Sequence, residues 1–300
     1  MLQMYFKRHI SERIFNAFNI LLMILLCAVM LFPYLNQLAI SLNEPMDTMR
    51  GGITVFPRRF TLINYTAVFN NQSVTKGALI SVTRTLFGTA LALITTFSAA
   101  YALTRRRLKG RKLITWFLCI PMYISAGTIP IYMLFRYLGL MNNYLVYILP
   151  FTFSFYNMVI IRSFLQELPP SLEESALIDG ANEIRVMFQI ILPLAIPVIA
   201  TVCLWVAVFH WNDWTTPLLY VTKTKLYPLQ YVMMRIIKES EVIQSIARES
   251  AGLERDPNLR PTPDSIQAAV LMVSTLPIVM LYPFLQKYFI QGVTLGAVKE

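Results

Sequence analysis

Apolar residues run along this chain in long blocks, and polar residues are confined to the gaps between them. A helix needs about 20 apolar residues to cross the hydrocarbon core of a bilayer. Six blocks reach that length: residues 14–42, 77–103, 113–137, 144–164, 190–220 and 266–289. The pattern predicts six membrane-spanning helices. Pro121, Pro130, Pro150, Pro197, Pro277 and Pro283 fall in or beside the blocks. Neighbouring helices re-satisfy the backbone groups that such prolines free, so kinks that shape a cavity are expected. Two gaps are long. Residues 43–75 carry the turn formers Asn43, Pro45, Gly51, Gly52 and Pro57; residues 222–265 carry mixed charge with Pro257, Pro261 and Pro263. Residues 228–250 have the makings of one or two helices. The 222–265 gap is either a solvated connector or, given its length, a functional loop.

Composition supports lipid as the solvent. The chain has 300 residues, 56% hydrophobic and 14% charged, against about 25% charged in a soluble domain. Net charge is +10. In a soluble protein that would suggest nucleic acid; here no nucleic-acid partner is expected, and the basic residues are topology signals. Lys7, Arg8 and Arg13 precede or open the first block. Arg105, Arg106, Arg107, Lys109, Arg111 and Lys112 fill the gap between the second and third, with no acid among them. Such clusters stay cytoplasmic, which places both termini and the gap between the fourth and fifth blocks inside. Residues 1–13 form either an amphipathic helix on the inner membrane surface or a frayed terminus. The first block is too long for a leader and lacks a small-residue cleavage site, so no cleavable signal peptide is expected. Cys27, Cys119 and Cys203 all lie in apolar runs without metal-ligand spacing; they are expected to be buried as small hydrophobes.

The gap at 168–193 is a polar island with its own local logic. Pro169 and Pro170 stop the preceding helix. Ser171 and Glu174 have the spacing of a capping box, and Glu173 and Glu174 suit the positive end of a helix dipole. Gly180 can adopt positive φ and end the helix. A second helix is expected from near Ala181 into the fifth span. Leu172, Ser175, Ala176 and Asp179 share one face by helical spacing. That face is mostly small, which would let another protein approach closely.

Glu174, Ala176, Asp179, Gly180, Ala181, Phe188 and Pro193 resemble the EAA loop of ATP-binding-cassette (ABC) importer permeases, with Ser175 where that family often has Ala. Residues 42–65, with Pro57, Phe60, Thr61, Asn64 and Tyr65, look like the first outer loop of carbohydrate-type permeases. Residues 288–299, with Gln291, Gly292 and Gly296, resemble the C-terminus of the smaller permease of the maltose type. The resemblance covers nearly the whole chain. It implies an all-α polytopic fold: a type I importer permease of six transmembrane helices in a bacterial inner membrane, spanning 14–289. A cytoplasmic coupling helix, with Ser171 at its start, would meet a separate ATPase dimer. The 290–300 tail would reach into that dimer, and the 222–265 loop would probe the cleft of an extracytoplasmic sugar-binding protein. A second homologous permease would complete a heterodimer in the lipid. The cargo would be a sugar or oligosaccharide; the alternatives are another importer solute (amino acid, peptide or ion) or a secondary carrier, whose inverted repeats are not detected.

No G-x-x-x-x-G-K-[ST] phosphate loop is present, so ATP and magnesium would bind on the partner ATPase, with no cofactor, metal or catalytic residue on this chain. The stretch Phe209, His210, Trp211, Asn212, Asp213, Trp214 is the most chemically loaded in any block. Rings stack on sugar faces and Asn or Asp bonds hydroxyls, which makes it a candidate substrate path; equally, it fits an aromatic belt at the outer interface. Trp205 lies deeper in the same block. Arg84 lies within the second block and is expected either to pair inside the bundle or to line the path.

Overall fold

The computed structural model describes residues 10–105, 107–249 and 262–297; no side-chain description extends to 10, 13, 240–249, 263, 281, 282 or 284–297. The amphipathic-segment expectation for Lys7, Arg8 and their neighbours falls mostly outside these residues, as do Pro257 and Pro261. Among the described residues the fold is helical, with no strand beyond an isolated bridge between Asn43 and Phe60. In chain order the helices are α1 (Ile10–Ser41), α2 (Pro45–Thr48), α3 (Ile63–Asn70), α4 (Gln72–Thr104), α5 (Arg111–Tyr123), α6 (Thr128–Tyr137) and, after two 3-10 turns at Tyr144–Tyr147 and Leu149–Phe151, α7 (Phe155–Glu167). Then come α8 (Ser171–Ile178), α9 (Glu183–Val186), a π turn (Met187–Ile191), α10 (Leu192–Leu194), α11 (Ile196–Asn212), α12 (Thr215–Tyr220), α13 (Leu229–Glu249) and α14 (Pro263–Ala297).

Kinks are expected at the prolines, and among the described residues most of the apolar blocks are indeed bent or broken rather than single helices. Two helices, Ile14–Ser41 within α1 and α4 as a whole, are long and apolar enough to cross a bilayer alone. Three more candidates reach that length only as bent pairs. α5 and α6 turn by 115°, because Gly127 takes φ +83° and Ile124 is extended. The 3-10 turns around Pro150 meet α7 at 46°, and the α9–α10 segment meets α11 at 81°. Pro193 and Pro197 flank that last bend, where their missing N–H groups weaken the ladder. The block 190–220 is therefore not one helix: α11 stops at Asn212 and α12 starts separately. In the last block the apolar segment Asp264–Met280 is a shorter helix stretch inside the longer α14. The stretch 228–250 carries a single helix, α13.

The described residues fall into two compact units, one within Met1–Asn70 and Ile237–Val273, the other within Asn71–Ile236 and Ser274–Glu300. In the first, α1 exposes its whole apolar window. Cys27 is accordingly exposed, against the expectation of burial, and in the second unit Cys119 and Cys203 are only half-buried. The segment after α1 folds into a polar clasp. Asn43 donates to the Asp47 carboxylate (3.1 Å) and accepts from the Arg59 amide (2.8 Å). Arg58 donates to the same carboxylate (2.9 Å) and to the carbonyl of Gly51 (2.7 Å). Asn64, fully buried, donates to the carbonyls of Ser41 and Asn43, each at 2.9 Å. The turn formers thus belong to a loop closed by its own hydrogen bonds.

The second unit is organised on α4. This helix has no internal proline, and Asn71 caps it by accepting from the Ser73 amide (2.9 Å). It packs most extensively against α11 and then α7. Close approach is possible because small residues on this helix are buried: Gly88 faces His210 of α11, Ala92 and Ala100 lie in the shared core, and Gly77 and Ser81 meet the start of α13 at Leu229. Their spacing keeps them on one face. The shared core holds Phe97, Met158, Ile161, Ile191, Val198 and Val202.

Candidate functional site

α8 is closed firmly at both ends, but not as the spacing predicts. Pro170, at φ −61° and ψ −26°, precedes the first helical residue, and no side chain caps the helix. The amides of Glu173 and Glu174 both donate to the Pro170 carbonyl at 3.1 Å. Ser171 is thus already inside the helix and the capping box with Glu174 does not form. Proline's fixed φ is pre-set for a helix start, and that wins over the serine. The other end matches expectation. Gly180 has φ +82°; its amide donates to Leu177 (3.1 Å) and that of Ala181 to Ala176 (3.0 Å). These are the two bonds of a Schellman closure. The second helix starts near Ala181 as expected, at Glu183, with Asn182 accepting from the Arg185 amide (2.8 Å).

Two contacts that sequence reasoning missed tie this hairpin to the Thr104 end of α4. The Arg105 guanidinium pairs in two-pronged fashion with the Glu173 carboxylate and lies over the Tyr101 ring, 3.9 Å from its centroid. Tyr101 donates to the carbonyl of Glu183 (3.3 Å). The available signal was an acid in the first turn of α8 facing an acid-free basic run. The expected small face also divides. Ala176 is buried in the cluster that holds Leu103, Leu165 and Val186, whereas Leu172, Ser175 and Asp179 are exposed. An eight-residue helix must anchor one side, and the smallest residue gives the closest approach. What α8 presents outward is mixed, with its apolar part led by Ile178 at the tip, 85% exposed, and by the exposed Leu172 and Leu177. Glu174 and Pro193 are exposed, Ala181 is half-buried, and Phe188 is exposed within the π turn.

The aromatic stretch divides in the same way. Trp205, Phe209, Asn212 and Trp214 are exposed. Trp205 stacks on Tyr156 of α7 at 6.4 Å, Phe209 meets Phe151 edge-on at 5.0 Å, and Asn212 accepts from Gln230 (3.2 Å). His210, Trp211, Asp213 and Arg84 are buried. Trp211 donates to the Ser274 carbonyl (2.9 Å). His210 abuts Gly88, where an added Cβ would lie 2.5 Å from Nε2. Arg84 pairs inside the bundle: Nη2 donates to Asp213 Oδ2 (2.6 Å) and Nη1 to the Asp213 carbonyl (3.1 Å). Of the two alternatives for Arg84, pairing is the one realised. Gln291, Gly292 and Gly296 lie in α14 by backbone; their side chains are outside the described residues.

Residues 86–295 match the family described as "Binding-protein-dependent transport system inner membrane component". The chain belongs to this family. Among relatives of this membrane component, the protein LplC of Bacillus subtilis is 38% identical over 96% of each chain. The polygalacturonan/rhamnogalacturonan transport system permease protein YtcP of the same organism is 32% identical over 96% of this chain and 99% of its own. A solved bacterial ABC transporter involved in the import of the acidic polysaccharide alginate superposes with a TM-score of 0.84, covering 94% of this chain and 99% of that one. At 24% identity that likeness speaks to the fold.

Proposed function

We propose that this chain is the permease subunit of an ABC importer that takes up a sugar or oligosaccharide delivered by an extracytoplasmic binding protein. The carrying observation is the tip of α8: an 85% exposed Ile178 on a helix locked at one end by Gly180 and tied at its first turn to Arg105. A large apolar side chain held out on a rigid, polar-rimmed hairpin is an anchor for a partner protein's pocket. The partner would be an ATPase dimer that binds ATP and magnesium and does the hydrolysis. The sugar assignment draws on relatives named for carbohydrate transport, among them the polygalacturonan/rhamnogalacturonan permease YtcP and the trehalose/maltose transport system permease MalG of Thermococcus litoralis.

In this reading the Thr104 end of α4, the basic gap and α8 face the cytoplasm together, and both termini lie there. The Arg105–Glu173 pair supports it, since it joins the basic gap to an island whose acidity looks discordant by charge alone. A second, homologous permease completes a heterodimer; the exposed Trp205, Phe209, Asn212 and Trp214 line the path between the two, with Tyr156 beside Trp205. Arg84, His210, Trp211 and Asp213 stand behind that face and hold it. The tail at Gln291, Gly292 and Gly296 reaches the ATPase, and the 222–265 segment meets the binding protein. Nucleotide binding displaces α8, and the bundle alternates its access. Exchange of Ile178 for Glu tests the reading. Loss of ATPase co-purification and of ATP-driven uptake is expected; an Ile178→Glu protein that keeps both would sink it.

A further inference from the structure

We infer that Arg84 is a positioning residue for transport: through Asp213 it fixes the joint between α11 and α12, and α4 links that joint rigidly to the coupling hairpin. The inference rests on the reading of α8 as the coupling helix. Its observations are separate ones, at the far end of α4.

Arg84 has no exposed surface, and its partner's side chain is 4% exposed. The Asp213 carboxylate serves two masters. Oδ2 accepts from Arg84, while Oδ1 accepts from the amides of Thr215 and Thr216, each at 3.0 Å, and from the Thr215 hydroxyl at 2.8 Å. Those are the first groups of α12, so one carboxylate starts that helix and pins it to α4. The guanidinium also lies 4.5 Å from the centroid of Tyr147, whose hydroxyl donates to the Leu226 carbonyl (2.8 Å). One turn towards Asn71, Ser81 accepts from the Leu229 amide (2.8 Å). Three neighbouring segments thus converge on one short stretch of α4. A planar two-pronged donor makes the carboxylate and carbonyl contacts together; an ammonium would not.

The two ion pairs of α4 lie about 31 Å apart at 1.5 Å per residue. Between them the helix is unbroken. The direct chain route from α8 to the same joint runs through a π turn and an 81° bend. A displacement entering at α8 is absorbed by that broken route and carried by the stiff one. A merely structural pair predicts only lost stability on mutation; a positioning pair predicts lost communication as well.

The test uses the assembled importer in nanodiscs, with Cys27, Cys119 and Cys203 replaced by Ser and a bimane on Leu218→Cys, an exposed position of α12. The probe is magnesium, ATP and vanadate. In the parent protein the fluorescence responds to trapping. Arg84→Gln is expected to cut the response at least about fivefold, the lower range for coupling between distant sites, with trapped nucleotide unchanged. Glu173→Gln should cut it similarly, and the double variant no further. Melting-temperature losses of the two should add, as they do for separated sites. Arg84→Lys keeps the charge without the fork and serves if Arg84→Gln does not assemble; it too should lose response. A full response in either folded Arg84 variant, additive losses of response, or no response in the parent each overturns the inference. Failure of the coupling reading looks different: ATPase then stays bound and active in Ile178→Glu.

Discussion

Gly88 and His210 offer a test in which the sign of an effect reverses. A methyl group at Gly88 would lie 2.5 Å from Nε2, 2.6 Å from Cε1 and 3.0 Å from Cδ2 of His210. The imidazole cannot swing clear. It is fully buried, with the Phe151 ring 6.1 Å away and the Phe209 ring 5.5 Å away, both edge-on. Overpacking of this sort costs about 1–3 kcal/mol, while Ala in place of Gly within a helix gains about 1 kcal/mol. Gly88→Ala should therefore leave the protein neutral to about 2 kcal/mol less stable. In a His210→Ala background the obstacle is gone and only the helix gain remains, so the same change should stabilise by about 1 kcal/mol. The interaction energy of the cycle is then about 1–3 kcal/mol. Melting curves of the detergent-solubilised protein at one scan rate read it, at about 2–4 °C per kcal/mol. If Gly88→Ala shifts the midpoint identically in both backgrounds, the packing argument for the α4–α11 contact fails.

Two further outcomes are expected. The Asn43 amide foremost, then Arg58, holds the Asp47 carboxyl below its ordinary 3.8, with burial opposing them. A depressed folded value means that the clasp's ionic contribution is present above 3.8 and is lost as pH falls through the folded value. Melting midpoints should therefore drop below about pH 4, and Asp47→Asn should remove that part of the slope; an unchanged slope rules the contribution out. Separately, Trp205→Cys in a cysteine-free protein should react with a charged, water-soluble maleimide at a rate that changes on vanadate trapping. Reaction only with lipid-soluble reagents would put that face against lipid and end its role as path.

What the chain discloses depends on how local the deciding interaction is. α1 and α4 are legible because their apolar runs are long enough to outlast Pro33 in one and Arg84 in the other. The break between α5 and α6 is less so: Pro121 warns of a kink, but a turn of 115° depends on Gly127 adopting φ +83°, which the sequence permits without requiring. Gly180 is legible, since both bonds it enables are made within the hairpin. Ser171 misleads for an equally local reason, because Pro170 had already taken the start of the helix. The facing of α8 is not legible at all. With so few turns, periodicity cannot say whether Ala176 or Ile178 turns inward, and the answer comes from the distant core at Leu103 and Leu165. Arg84 announces that it needs a partner; that the partner is Asp213, far along the chain, is a property of the fold.

The two ion pairs of α4 differ in a way that assigns them different tasks. Arg84 and Asp213 are sealed from solvent, and removing one partner of such a pair costs about 3–5 kcal/mol because the other charge is left stranded. Arg105 and Glu173 retain 19% and 25% side-chain exposure. Water and salt reach them, so separating them is cheaper, since each charge can be rehydrated. A helix held this way keeps its grip on the α11–α12 joint while the contact at its other end can be exchanged. If α8 is the coupling helix, as proposed, the sealed pair suits the end of α4 that holds the joint, and the wetter pair, cheaper to strain, suits the end that meets the hairpin. Reversing the two environments, with a sealed pair at α8 and a wet one at Asp213, would lock the hairpin and loosen the joint.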